Sequence, residues 1–142
     1  MDGNGVFTID GVDLRVMVTG LKRSFAVTDS EHSGRLQNYE MFRDVIGTFY
    51  NYTLNVEPDP DYRADYDTFY GIISAPTPFH DVVFPYGQET LAFKAYVTSG
   101  DDDYKGEKRY AIYGIPDSPV IQTNKYSGLS VQFIAKSPQR RP

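Results

Sequence analysis

The sequence FYNYTLNVEPDPDYRADYDTFYGIISAP, residues 49–76, contains the clearest change of pattern in the chain. In residues 49–56, apolar residues at even positions alternate with mostly polar ones, which is typical of a strand with one buried face. From residue 62 onward, apolar residues recur mainly at steps of three and four, which gathers them on one face of a helix. The stretch therefore predicts a half-buried strand followed by one α-helix over about residues 60–74.

The start of this helix is predicted at Asp59 and Pro60. An Asp side chain can accept hydrogen bonds from free N–H groups, and proline fits the first helical position because no N–H is needed there. The acidic residues that follow favour the positive end of the helix dipole. One face carries the residues that we expect to pack against a sheet, namely Tyr62, Tyr66, Phe69, Tyr70 and Ile73.

The rest of the chain has the pattern of strands and turns. Asp10-Gly11 separates two β-prone runs and predicts an N-terminal hairpin. A second hairpin is predicted around residues 86–88, and a last strand over residues 129–135. Without an internal repeat or a linker, the chain predicts a single domain over residues 1–142. Its predicted fold is mainly β (α+β), an antiparallel β-sandwich or open barrel with one flanking α-helix.

Composition and charge argue against several classes of function. The 142 residues carry a net charge of −5, whereas proteins that neutralise phosphates need clustered Lys and Arg. The absence of cysteine excludes disulfides, thiolate nucleophiles and cysteine-based zinc sites. No apolar run is long enough to cross a bilayer, and the first residues lack the layout of a signal peptide. We therefore expect neither specific nucleic-acid binding nor a membrane, and synthesis in the cytoplasm.

The chain contains two histidines, and neither predicts a catalytic site. His32 has Asp29, Ser30 and Ser33 beside it, but a catalytic triad is assembled from separate elements rather than from one loop. His80 begins a predicted strand and is expected to form a local structural hydrogen bond. We expect no catalytic residue, no cofactor and no enzymatic activity.

The segment GDDDYKGEK, residues 100–108, is rich in the carboxylates that calcium prefers. It departs from a calcium-binding EF-hand loop. With Asp101 as the first position, Lys105 stands at the fifth and Ile112 at the twelfth, where a Glu is required. Lys105 and Lys108 would also repel a cation. The segment is therefore predicted to be a solvated loop without a metal.

Paired carboxylates among aromatic residues leave an alternative function open, a small carbohydrate-binding or glycoside-hydrolysing β domain. That function would need Tyr62, Tyr66 and Phe69 in solvent beside the acids of residues 59–67. A third possibility is a free-standing adaptor or inhibitor, which would share the acidic, cysteine-free character of the chain.

Several longer phrases resemble one family. They are residues 19–59 (TGLKRSFAVTDSEHSGRLQNYEMFRDVIGTFYNYTLNVEPD), 66–88 (YDTFYGIISAPTPFHDVVFPYGQ), 93–102 (FKAYVTSGDD) and 126–142 (YSGLSVQFIAKSPQRRP). In this order they resemble small virion structural proteins of the tails of phages and prophages of Gram-positive bacteria. The resemblance covers most of the chain, and its phrases are structural rather than catalytic.

The resemblance implies a relative of tail tube and distal-tail proteins, in which a β-sandwich flanked by one helix assembles into rings that are commonly hexameric. Strands of neighbouring subunits then complete an inner barrel. The implied partners are further copies of the chain and other phage tail proteins, and the implied location is the virion tail after synthesis in the host bacterium. Within the family, the resemblance implies the ring-forming core alone, without the second, receptor-side domain of a full distal-tail protein.

Two long predicted loops, residues 29–40 and 99–109, are the expected contact regions, because loops of this length in a compact domain usually have a function. The candidate interface residues are Arg35, Met41, Phe42, Arg43, Asp102, Tyr104 and Lys105.

Overall fold

A computed structural model of the chain describes residues 3–31, 33–35, 40–110 and 120–142, and the side chains of residues 35, 42, 106–110 and 120–123 lie outside that description. The strands are β1 (Thr8–Ile9), β2 (Val16–Asp29), β3 (Gly34–Arg35), β4 (Met41–Phe42), β5 (Val45–Pro58), β6 (His80–Tyr86), β7 (Glu89–Tyr96), β8 (Gly100–Tyr110) and β9 (Val120–Ala135). Helix α1 spans Arg63–Ile73, and it is too short to cross a membrane.

The strands form an antiparallel seven-stranded open sheet in the order β1-β6-β7-β9-β5-β2, with β8 also paired to β9, while β3 and β4 pair separately. Strand β9 links the two halves, because its end pairs with β7 and its middle with β5. The halves face each other: the Phe84 ring of β6 lies 4.7 Å from the Tyr52 ring of β5 and 5.2 Å from the Phe133 ring of β9. The predicted antiparallel sandwich or open barrel with one helix is confirmed.

The core follows the alternation of β5 and β9. Tyr52, Leu54 and Val56 of β5 are buried, as the even positions of this strand predicted. Leu129 and Phe133 of β9 are buried in the same way, together with the two residues that alternate with them at 131 and 135. Apart from residue 135, these side chains pack into one cluster with Phe7, Ile9 and the buried face of α1.

The helix begins three residues later than predicted. The carbonyl of Asp59 accepts a hydrogen bond from the Tyr62 N–H, and its side chain accepts one from the Asp61 N–H. Asp59 therefore stabilises a turn ahead of the helix instead of capping it, which is the alternative that Asp side chains offer to the backbone. The N-cap position, directly before α1, is occupied by Tyr62, whose side chain makes no capping hydrogen bond.

The buried stripe of α1 is confirmed for Tyr66, Phe69 and Ile73. It is wrong for Tyr62 and Tyr70, which are 41% and 36% exposed. Tyr62 precedes the helix, so helical spacing does not place it, and Tyr70 is turned about 100° from its buried neighbour Phe69.

Both predicted turns are present. Asp10 and Gly11 have positive φ values of 51° and 77°, and the backbones of Ile9 and Val12 exchange two hydrogen bonds across them. This hairpin is shorter than expected, because β1 pairs onward with β6 and the next strand starts only at Val16. The second hairpin joins β6 and β7 through a turn at Gly87.

The segment predicted as a solvated loop, residues 100–108, is part of strand β8. The last strand, predicted over residues 129–135, begins already at Val120 as β9, and β8 and β9 pair over most of their length. The loop prediction was wrong because its basis was local polarity, whereas the backbone hydrogen bonds of an antiparallel pair also form where a face meets water. The predicted loop over residues 29–40 contains β3 and, with Met41–Phe42, a short hairpin. His32 lies outside the described residues.

Two hairpin arms continue the sheet on either side of the segment in which β5 pairs with β9. The first, called the β2–β5 arm, consists of residues 24–29 paired with residues 45–51. The second, called the β8–β9 arm, consists of residues 103–110 paired with residues 120–127. Since β5 and β9 run antiparallel and pair only from Tyr52 with Phe133 to Val56 with Leu129, the two arms leave the sheet at opposite ends.

The C-terminal segment lies along the β5 side of the first arm. The Thr48 N–H donates to the Arg140 carbonyl at 2.7 Å, and the Gln139 amide exchanges two hydrogen bonds with the backbone of Tyr50. Gly47 allows this close approach, because a Cβ there would lie 2.6 Å from the Arg140 oxygen. The outer edge of β2, in contrast, pairs with no strand in the part of the chain that the structure describes.

Candidate interaction surface

The predicted interface residues lie in two separate places. Arg35 and Met41 are paired on the β3–β4 hairpin, next to the pair that contains Phe42, at the tip of the β2–β5 arm. Met41 is 45% exposed. The Arg43 guanidinium lies 2.8 Å from the Asp29 carboxylate, which fastens the base of the hairpin to the end of β2.

Asp102, Tyr104 and Lys105 lie in β8, at the start of the other arm. The half-buried Asp102 accepts a hydrogen bond from the Tyr66 hydroxyl of α1 at 2.5 Å. Burial and this bond both raise the pKa of Tyr66. Tyr104 is 54% exposed and donates to the Asn124 side chain. Asp102 thus joins the arm to the helix, whereas Tyr104 and Lys105 face solvent.

The β2–β5 arm exposes apolar side chains that were not among the candidates. Phe25 is 70% exposed, and Val27 and Ile46 are each 42% exposed. Phe25 and Val27 share a face of β2, which their spacing of two could have indicated. The sequence does not show that strands β1, β6 and β7 leave this part of the face uncovered.

A cleft opens where the β2–β5 arm leaves the core, and we call it the Arg–Tyr cleft. Its volume is ≈ 490 Å³. Its lining residues are Arg23, Ser24, Phe25, Val27, Thr48, Tyr50, Tyr86 and Arg140.

Two tyrosines form the floor of the Arg–Tyr cleft. Their rings meet edge to face at 5.1 Å, and the Tyr86 hydroxyl donates to the Tyr50 hydroxyl at 3.2 Å. The Arg23 guanidinium lies 5.3 Å from the centre of the Tyr86 ring. The hydrogen bond from Tyr86 lowers the pKa of Tyr50, and a hydrogen bond from Arg140 and the charges of both arginines lower it further. The cleft therefore favours negative charge.

His80 is a structural residue. It is buried, and its Nδ1 lies 2.8 Å from the Asp10 carboxylate of the N-terminal turn. Burial alone would raise the pKa of Asp10, but hydrogen bonds from His80 and from the Asp81 N–H outweigh it, so the pKa is lowered. The expected hydrogen bond is present, although its partner is distant in sequence rather than local.

The acids and aromatics of the helix region are largely engaged in the fold. Asp65 accepts two hydrogen bonds from Arg15, whose guanidinium also covers the Tyr62 ring at 3.9 Å. Tyr66 and Phe69 are buried, so they offer no platform to a sugar. Among the described residues, no three His, Asp or Glu side chains are placed to hold a metal ion together.

Comparison of the chain with protein-family models, with curated proteins and with solved structures found no match. Its function therefore has to be inferred from its own sequence and surface.

Proposed function

We propose that the chain is a phage virion structural protein, a ring-forming tail component of the tail tube or distal-tail kind. In this proposal it acts by self-assembly, in rings of six, and by docking to neighbouring tail proteins. It is made in the cytoplasm of the host bacterium and acts in the virion tail, without a cofactor, an enzymatic reaction, a membrane or specific nucleic-acid binding.

The observation that carries the proposal is the free edge of β2. This strand has 14 residues, and its outer edge is unpaired among the described residues, next to the exposed Phe25 and Val27. Long unpaired edges with apolar side chains promote aggregation, and monomeric proteins usually shorten, charge or cover them. A partner strand or subunit would cover this edge in the assembled protein.

The opposite edge of the same part of the sheet is also free. Strands β2, β5, β9 and β8 are neighbours in this order, and β8 pairs with no further strand in the described part of the chain. Contacts between unlike edges of identical subunits repeat head to tail, and they close into a ring when the rotation between subunits permits. The two free edges therefore support assembly into a ring.

The test is to image the purified chain by negative-stain electron microscopy and to measure its mass by light scattering, alone and with the products of neighbouring genes. We expect rings or stacked rings in at least one combination. Phe25→Lys should abolish them without unfolding the chain, because Phe25 is 70% exposed.

Val12→Lys is the matched control. Val12 is 40% exposed in the N-terminal turn, away from the β2–β5 arm, so this variant should assemble normally. A chain that forms neither rings nor tubes in any combination would disprove the proposed function.

A further inference from the structure

Two arginines of the Arg–Tyr cleft have no carboxylate partner among the described residues. Arg15 pairs with Asp65 and Arg43 with Asp29, whereas neither Arg23 nor Arg140 pairs with any carboxylate that the structure describes. The chain has more acids than bases, with a net charge of −5. A local pair of unneutralised guanidinium groups in an acidic protein is a site where carboxylates would be held by charge-assisted hydrogen bonds.

The walls of the cleft suit a polypeptide segment rather than a lone ion. Arg23, Phe25 and Val27 alternate along one face of β2, and they stand opposite Tyr52, Tyr50 and Thr48 of β5. This face continues the buried face of the sheet past the point where strands β1, β6 and β7 cover it. It therefore combines cationic groups with exposed apolar surface, and a volume of ≈ 490 Å³ admits several side chains.

The chain carries a segment of matching chemistry at the other free edge of the sheet. Asp101 and Asp103 of β8 are exposed, and no cation of the described residues pairs with either of them. Tyr104 follows with its ring largely in solvent. The segment thus offers two carboxylates and an aromatic ring, which complement the two arginines and Phe25 of the cleft.

This segment cannot reach the cleft of its own chain. Strand β8 lies beyond β9 on one side of β5, and β2 lies on the other side. In a head-to-tail assembly, this segment can therefore meet only the cleft of another copy of the chain.

We propose that the Arg–Tyr cleft binds the acidic segment of β8, residues 101–104, from the next copy in a head-to-tail assembly. Arg23 and Arg140 contact Asp101 and Asp103, and Tyr104 packs on Phe25. The inference rests on the proposed ring and names the surfaces that join its subunits. Because the two surfaces differ, each copy uses its cleft on one neighbour and its acidic segment on the other.

Charge reversal tests this pairing. Arg23→Glu with Arg140→Glu, and separately Asp101→Arg with Asp103→Arg, should each raise the concentration at half assembly by at least about tenfold, because like charges then face each other. A one-to-one mixture of the two variants should restore assembly, since each cleft then meets a segment of opposite charge. The restored rings should alternate the two variants and contain an even number of subunits by native mass spectrometry.

The matched control is Lys22→Glu with Arg141→Glu. It produces the same change in net charge at the neighbouring positions, and neither side chain lines the cleft. This control should assemble like the wild type. Circular dichroism checks the fold of each variant, and Arg23→Gln with Arg140→Gln provides a milder form that should also weaken assembly, but by less than the change of both residues to Glu.

The outcomes separate the two proposals. If the wild type forms no ring in any combination, the proposed function fails and this inference with it. If the wild type forms rings and the Arg23→Glu, Arg140→Glu variant forms them equally well, only the inference fails. Loss of assembly in both reversed variants without recovery in the mixture would also overturn the pairing.

Discussion

Phe69 is the residue on which the packing of α1 against the core depends most. It is fully buried, and its ring meets the Phe7 ring edge to face at 5.5 Å. Its neighbour Tyr70 is 36% exposed on the adjacent face of the helix. The pair offers a large aromatic residue inside the core and another outside it, on the same turn of one helix.

Phe69→Ala should lower the free energy of unfolding by about 3–5 kcal/mol, because it removes a buried ring and leaves a cavity. Tyr70→Ala, the control, should lower it by less than about 1 kcal/mol. Urea denaturation followed by circular dichroism measures both. A nearly neutral Phe69→Ala would mean that the apolar stripe of α1 does not pack on the sheet, and a ligand-binding role of the helix would return to consideration.

Individual residues also show where the sequence was insufficient. Asp59 is chemically able to cap a helix or to close a turn, and the choice depends on where the chain leaves β5. Tyr70 fits the apolar stripe by its type, yet its place at the margin of the stripe leaves it in solvent.

At the scale of elements, an ion pair helps to hold α1 in place. The Asp65 carboxylate accepts hydrogen bonds from the backbone N–H of Arg15 at 2.9 Å and from its Nε at 3.0 Å. The side-chain bond from Arg15, followed by the backbone bond, lowers the pKa of Asp65. The contact joins the first turn of the helix to the segment that precedes β2.

The lowered pKa determines the sign of a pH effect. The stabilisation by Asp65 is fully present above the pKa of an unfolded Asp, about 4, and it is lost as pH falls through the lower folded value. Asp65→Asn should therefore be less stable than the wild type at pH 7, and the difference should shrink as pH falls below about 4. Urea denaturation at a series of pH values measures it.

Asp67→Asn is the control for this experiment. Asp67 lies exposed two residues further along α1. Its variant should follow the wild-type pH profile. A difference between the wild type and Asp65→Asn that is equally large at pH 3 and pH 7 would contradict the role of the charged Asp65.

Elements were predicted best where one face is buried. The alternation of apolar and polar residues in β5 and β9, and the apolar stripe of α1, indicate which face of each element is buried. Strand β8 and the part of β9 before residue 129 show no such alternation in the sequence, and their pairing with each other depends on backbone hydrogen bonds.

At the scale of the whole molecule, the two arms give the proposed assembly a measurable signature. The outer edge of β2 pairs with no strand among the described residues, so those N–H groups of residues 24–29 that point away from β5 should exchange readily with deuterium in the isolated chain. On assembly their exchange should slow by about tenfold or more, as should that of residues 101–104. Mass spectrometry of peptides from assembled and unassembled samples measures this change.

Strand β6 is the internal control for the exchange measurement. Its residues 80–84 lie within the sheet beside β7 and do not line the Arg–Tyr cleft, so their exchange should be the same in both samples. Equal exchange of residues 24–29 in both samples would show that the edge of β2 takes no part in the assembly.

The sequence by itself determined the fold class, the strand β5, the hairpin of β6 and β7 and the buried face of α1. Each of these leaves a local periodic pattern or a turn dipeptide, and local patterns are readable without knowledge of distant residues. The seven candidate interface positions were likewise chosen from the sequence, on the length and polarity of two segments.

The tertiary structure alone decided where the arms emerge, which edges stay free and which residues form the Arg–Tyr cleft. Arg23, Tyr50, Tyr86 and Arg140 come from β2, β5, β6 and the C-terminal segment, and only the pairing of these elements brings them together. The physical reason is that strand pairing joins residues far apart in the chain through backbone groups that every residue shares. The sequence around each of the four residues therefore carries no sign of the other three.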